Sequence, residues 1–255
     1  MTTLVIGLLI PLLGTMLGSA FVFFMKDKMP ERVQKSLLGF ASGVMVAASV
    51  WSLLIPAMEM EADSGKWSVI QAVAGFLLGI FFLLALDELT PHLHVGSDTP
   101  EGPRSRLSRT AMLALAVTLH NLPEGMAVGV VFAGAEQGAA GLSVASAVAI
   151  SLGIAIQNIP EGAIISMPMR TEGNSKWRSF LIGSLSGAVE PVGAIAVLLL
   201  ASLLMPFMPY MLEPCSTLWS RNSFPRPLTV STPNLSTIGF AIGFVLMMVL
   251  DVVMA

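Results

Sequence analysis

Two hexapeptides constrain this chain more than anything else in it: His-Asn-Leu-Pro-Glu-Gly at 120–125 and Gln-Asn-Ile-Pro-Glu-Gly at 157–162. Each sits inside an otherwise apolar stretch long enough to span a bilayer. A carboxylate at mid-bilayer costs about 2.5–3.5 kcal/mol even on lenient insertion scales unless something neutralises it. Two segments that repeat one polar pattern therefore point to one shared binding site. On a helix, His120 and Glu124 are four residues apart and Asn121 and Glu124 three apart, so the three side chains face one way. Gln157, Asn158 and Glu161 repeat that spacing. Set face to face, the two stripes offer an imidazole nitrogen, amide oxygens and two carboxylates, a ligand set for a divalent cation.

The prolines fit the same picture. Pro123 has no N–H for the carbonyl of Leu119, and Pro160 none for that of Ile156, which predicts a kink and a free oxygen in each helix. Irregular backbone at membrane depth is tolerated only where it is buried in protein or lines a wet cavity. Gly125 and Gly162 would let a neighbouring helix approach closely. Packing and kinking alone could explain Asn, Pro and Gly in one such motif, but not a glutamate in both.

Composition defines the setting. With 55% hydrophobic and 11% charged residues in 255, the chain reads as one all-α integral membrane domain, 1–255. Apolar stretches fall near 3–25, 37–58, 67–87, 110–133, 143–167, 178–202 and 237–255, each near the ~20 residues that a spanning helix needs. The first lacks a basic leader and a clear cleavage site, so a retained helix is expected. Basic residues cluster after the first stretch (Lys26, Lys28, Arg32, Lys35), the third (Arg104, Arg106, Arg109) and the fifth (Arg170, Lys176, Arg178). The alternate loops hold Lys66 with Glu59, Glu61, Asp63 and Glu136. The positive-inside rule then places the N-terminus outside. A single cysteine, Cys215, excludes an internal disulfide and a thiolate cluster. With a pI of 5.6 and basic residues accounted for by topology, no nucleic-acid partner is expected.

With these motifs the chain resembles the ZIP (Zrt/Irt-like) family of divalent metal transporters, and most of all its bacterial GufA-like branch. The similarity covers about 37–212 and about 235–255, and the paired Asn-x-Pro-Glu-Gly motifs on consecutive helices carry it. The resemblance implies a ZIP-type bundle of eight transmembrane helices, a binuclear metal site between the fourth and fifth, and elevator-like movement of one helix bundle against another. It implies a multi-pass protein of the bacterial inner membrane whose partners are divalent metal ions and the lipid bilayer, with a homodimer left open. No cofactor follows from it; zinc, or else iron(II), manganese or cadmium, is the cargo moved into the cytoplasm.

Carried over residue by residue, His120, Glu124, Gln157 and Glu161 resemble ligands of a first metal, with Met45 of the second helix as a further one. Asn121, Glu124, Asn158, Glu161 and Glu190 resemble the shell of a second metal, both motif glutamates bridging. Taken alone, Met45 among 17 methionines reads as core filler. Two positions depart from common family patterns: Gln157 stands where many relatives have His, and Asn158 where close relatives often have Asp. An amide is a weaker ligand than imidazole, and the Asn removes a charge from the second position. Glu59 and Asp251 match an external cation funnel. Asp87, Glu88, His92 and His94 resemble the cytoplasmic exit, so all three histidines fall at proposed metal positions.

Residues 213–234 break the pattern: four prolines and two arginines do not make a spanning helix. Leu218–Pro227 can be written in codons whose frame from the third base reads Val-Val-Glu-Glu-Leu-Ile-Pro-Glu, similar to the family's seventh-helix ending. The seventh helix is therefore read as disrupted by a frame-shifted stretch. Without that crossing, the last helix is expected to run opposite to the family's, or 203–219 to make a strained partial span. Two alternatives to transport follow. An intramembrane metal hydrolase would use Glu124 or Glu161 as base, but His-Glu-x-x-His is absent. A non-transporting paralogue would owe its state to the disrupted seventh helix.

Overall fold

The computed structural model describes residues 2–24, 30–60, 65, 70, 73–75, 77, 78, 81, 84, 85, 88–91, 102–139, 141–204 and 233–254. With no water in hydrocarbon to satisfy the backbone, an apolar chain must close its own hydrogen bonds, and helices do so within each segment. The described residues form α1 (Thr2–Phe24), α2 (Glu31–Ala48), a π-helical stretch (Ser49–Leu54), α3 (Ile55–Met60), α4 (Arg109–Glu136) and α5 (Val144–Thr171). They continue as α6 (Lys176–Gly187), α7 (Val189–Leu199), the short α8 (Ala201–Leu204) and α9 (Pro233–Met254). Six spans among them are long and apolar enough to cross a membrane: Thr2–Phe24, Arg32–Glu59, Thr110–Glu136, Val144–Thr171, Lys176–Leu199 and Asn234–Met254. Of the predicted stretch 67–87 only scattered helical residues are described, and 205–232, with most of the anomalous segment, lies outside the described residues.

Serines start the helices of the central bundle. Ser108 accepts from the Ala111 N–H ahead of α4, Ser143 and Ser146 cap α5 reciprocally, and Ser175 accepts from the Arg178 N–H ahead of α6. Gly173, in the left-handed region at φ 95°, follows α5 and turns the chain toward α6.

Glycines decide which helices pair. A Cβ on Gly14 or Gly18 of α1 would overlap the α5 backbone at Ala155 or Ile159. A Cβ on Gly125 or Gly129 of α4 would meet the α7 backbone at Glu190 or Ala194. Between α2 and α9 the contact is reciprocal: Gly39 and Gly43 lie on Ser236 and Phe240, while Gly239 and Gly243 lie on Ser36 and Phe40. Each pair uses glycines four apart, which bring two backbones together without a hydrophobic driving force. In all three pairs the residue numbers rise together, so the partner helices run parallel.

Two faces follow. Thr110 bonds to Glu172, Lys176 donates to the carbonyl of Phe23 at 2.9 Å, and Ser36 lies against Gly239. This face gathers Arg32, Lys35, Arg104, Arg106, Arg170, Lys176 and Arg178. Phe132 reaches Gly7, Gly141 lies against Pro56 and Glu59, and Ser52 donates to Asp251 at the opposite face. The basic loops grouped by their spacing in the sequence thus come together in space.

One expectation is corrected. The last helix does not run opposite to the family's direction: α9 starts at the basic face and ends beside Ser52, parallel to α2. Its direction is set by the reciprocal glycine contacts and the Ser52–Asp251 bond, not by the composition of 213–234. Leu204 and Pro233 consequently lie at opposite faces. α4 and α5 run continuously through Pro123 and Pro160, each of which leaves the carbonyl four residues back without its N–H. Irregular backbone falls at Ser49–Leu54, just before Pro56, and at Ala188 between α6 and α7, just before Pro191.

Candidate metal centre

Midway along α4 and α5 the two hexapeptides meet. Asn121, Glu124, Gln157 and Asn158 are all 0% exposed, and His120 and Glu190 are buried with them. The helical spacing does what it predicts on α4: His120 Nε2 stands 3.2 Å from Glu124 Oε1 one turn on. Across the seam Gln157 donates its side-chain N–H to the same Oε1 at 2.7 Å. A donor atom from each of His120, Glu124 and Glu161 falls within 4.8 Å of the others, close enough to hold one ion. Glu124 Oε2, Glu161 Oε2 and Gln157 Oε1 are closed to solvent and carry no hydrogen bond. Acceptors left without donors in a buried site cost about 1–3 kcal/mol each, a cost that a cation would remove.

The second residue of each motif turns elsewhere, because adjacent helical positions point about 100° apart. Asn121 donates to the carbonyl of Ser186 at 3.1 Å, at the end of α6. Asn158 donates to Glu190 Oε1 at 2.9 Å and to the carbonyl of Pro11 at 3.4 Å. Thr15 donates to Glu190 Oε1 at 3.2 Å. The result is a second buried polar cluster beside the first, where α1, α5 and the α6–α7 break meet; Asn121 Oδ1, Asn158 Oδ1 and Glu190 Oε2 are buried and unpartnered. No lysine or arginine is bonded to Glu124, Glu161 or Glu190 among the described residues.

Sequence reasoning marked α1 as a span and missed its part in the site. Thr15 and Pro11 reach Glu190 and Asn158 only because α1 packs on α5 through Gly14 and Gly18. A proline followed by a threonine one turn on, mid-span, was the available signal. Ser52 was missed too; it donates to the buried Asp251 at 2.7 Å. Pro56 has no N–H for the Ser52 carbonyl, so the π-helical stretch sits where the backbone pairing is interrupted.

The remaining sequence-predicted positions separate. Met45 is buried in the apolar cluster that also holds Val44, Ile154 and Met247. Glu59 is exposed beside Gly141, on the face that also carries Asp251. Glu88 is exposed and helical. Asp87, His92 and His94 lie outside the described residues.

The chain is 35% identical to "Zinc transporter GufA" of Myxococcus xanthus, over 96% of this chain and 97% of that one. It is 32% identical to "Zinc transporter ZIP11" of Homo sapiens over 93% of each chain. It is also 32% identical to "Zinc transporter ZIPB" of Bordetella bronchiseptica, over 86% of this chain and 71% of its relative. No protein-family model matches the chain.

Proposed function

The chain belongs to the ZIP (Zrt/Irt-like) family, and we propose that it carries divalent cations, zinc foremost, across the bilayer into the cytoplasm through the paired pockets between α4 and α5. The observation that carries the reading is the convergence of His120, Glu124 and Glu161 within 4.8 Å inside a membrane-spanning bundle. Imidazole, amide and carboxylate donors suit borderline cations, so iron(II), manganese and cadmium are further candidates and magnesium is not. His120, Glu124, Gln157, Glu161 and Met45 hold the transported ion. Asn121, Asn158 and Glu190 form the second position, with Glu124 and Glu161 between the two. Glu59 and Asp251 gather cations at the outer face, and Asp87, Glu88, His92 and His94 receive them inside. The basic face is cytoplasmic, which puts the N-terminus outside, in a bacterial inner membrane.

Transport requires one part of the bundle to move against another, and the packing supports an elevator-like division. Backbone-to-backbone glycine contacts bind α1 to α5 and α4 to α7 in one body, and α2 to α9 in another. Between the bodies, Met247 of α9 lies on Gly153 of α5 through its thioether, a side-chain contact of the kind that can slide. A hydrolase has no observation in its favour, and the relatives carry transporter names.

Zinc uptake into vesicles reconstituted with the purified chain tests the reading. Saturable accumulation that iron(II), manganese or cadmium competes with, and magnesium does not, is expected. Accumulation no greater than in protein-free vesicles would overturn it.

A further inference from the structure

We propose that the corner where α1 ends and α6 begins, on the basic face, binds an anionic phospholipid, its headgroup held by Lys176 and Arg178 above the indole of Trp177. The transport reading enters only in naming the cytoplasmic leaflet as the source of the lipid.

The two helix ends form a joined platform. α1 closes on Phe23 and Phe24, and α6 opens on Lys176, Trp177 and Arg178. Lys176 donates to the Phe23 carbonyl at 2.9 Å, which ties the ends together. That bond uses one of three ammonium hydrogens, and it covers one of the orphan carbonyls of α1 that would repel an anion. Rings interlock around the same join. Centroid to centroid, Phe23 lies 5.3 Å from Phe180 and 6.1 Å from Trp177, and Trp177 lies 5.4 Å from Phe180. Phe23 and Phe180 are half-buried, whereas Trp177 is 61% exposed. An indole with one polar edge at the end of an apolar span belongs at the boundary between headgroups and hydrocarbon. Held by its neighbours, it meets a lipid with little freedom left to lose.

Charge selects the occupant. Lys176 and Arg178 each stand about 100° around the helix from Trp177, one on either side, so two cations flank the indole. Neither α1 nor α6 holds an acidic residue, and the acid nearest to Lys176 in the chain, Glu172, accepts from Thr110 of α4 instead. Arg170 donates to the carbonyl of Asn174, but the Arg178 guanidinium has no bonded partner among the described residues; only its backbone N–H is engaged, by Ser175. A zwitterionic lipid brings an ammonium that the two cations repel. An anionic phospholipid brings a net negative charge to basic groups already set at headgroup depth. Bound there, it holds the ends of α1 and α6 together at the membrane surface.

Fluorescence quenching tests this in the full-length chain carrying Trp51→Phe, Trp67→Phe and Trp219→Phe, so that Trp177 alone emits. The chain is reconstituted in phosphatidylcholine vesicles with a small fraction of bromine-labelled phosphatidylglycerol or, for comparison, bromine-labelled phosphatidylcholine. The anionic lipid should quench Trp177 well beyond the zwitterionic one at the same fraction. The affinity behind that excess should fall about fivefold in Arg178→Gln, one basic residue's share of the attraction to an anionic surface. Lys176→Gln, which keeps a donor for the Phe23 carbonyl, should lower it likewise. Spin-labelled lipids give the same comparison in the chain with all four tryptophans, read as the immobilised fraction of label. Equal behaviour of the two lipids, or an excess that survives both substitutions, would overturn the proposal. An excess abolished by soluble glycerol phosphate at constant ionic strength would overturn it in favour of a soluble anion. The vesicles carry the labelled lipid in both leaflets, so the result does not depend on the direction of insertion. Zinc uptake in vesicles of the same composition reads the transport reading separately, and loss of the lipid preference leaves that reading standing.

Discussion

Gln157 donates its side-chain N–H to Glu124 Oε1 at 2.7 Å, the oxygen that also stands 3.2 Å from His120 Nε2. One carboxylate oxygen thus collects a contact from each of the two motifs. The amide nitrogen holds the place from which a cation would draw the Glu124 charge, while Gln157 Oε1 stays buried and unpartnered. Rotation of the amide exchanges the two atoms and presents an oxygen to an incoming ion.

Replacing Gln157 by histidine should therefore tighten zinc binding and make it more pH-dependent. Imidazole is the better donor for zinc and must be neutral to bind, so affinity rises as pH passes through ~6.5, the usual histidine value. Zinc titrations of Gln157→His at several pH values from about 5.5 to 7.5 check this. An affinity and a pH dependence equal to those of the unmutated chain would show that position 157 does not touch the ion.

Glu124→Ala and Glu161→Ala should each reduce zinc uptake by well over ten-fold, since loss of even an outer partner of a metal ligand costs about 10–100-fold. Membrane insertion should be unaffected, because removing a buried charge lowers the cost of placing the helix in lipid. Uptake by reconstituted vesicles, with membrane fractionation as the control, reads both. Near-normal uptake in either variant is incompatible with a shared site.

The parallel packing of α2 and α9 predicts where the C-terminus emerges. A reporter fused after Ala255 should be on the same side of the membrane as one inserted beside Glu59, and opposite to one placed at Arg104–Arg106. A reporter active on only one side reads this in cells. Glu59 and the C-terminal reporter on opposite sides would contradict the α2–α9 register.

Gly43→Val should loosen the α2–α9 pair specifically. Its Cβ would enter the α9 backbone at Phe240 and Phe244, and overpacking of this kind costs about 1–3 kcal/mol or more. The melting temperature of the purified chain in detergent should fall. Val substituted for Gly138, whose Cβ meets nothing within 4 Å but whose φ is 71°, tests backbone strain instead of helix contact. A smaller fall for Gly43→Val than for Gly138→Val would argue against close α2–α9 packing.

Much of the centre was legible in residue spacing, because helical periodicity is local. His120 and Glu124 had to share a face, a carboxylate in each of two apolar spans had to find company, and the basic loops had to group. Apolar length alone was enough to mark the described spans, from Thr2–Phe24 to Asn234–Met254. What spacing could not carry was the partner of each helix. Parallel packing through glycines depends on backbone surfaces that meet only in three dimensions, so α1 brought Thr15 and Pro11 to Glu190 with no sequence neighbour to announce them. The same packing turned α9 parallel to α2 against the expectation drawn from 213–234, and divided the motif residues into two pockets. Local chemistry determined which side chains carry donor atoms for a cation; tertiary contact decided which of them lie together, because that is set by distances between helices and not along them.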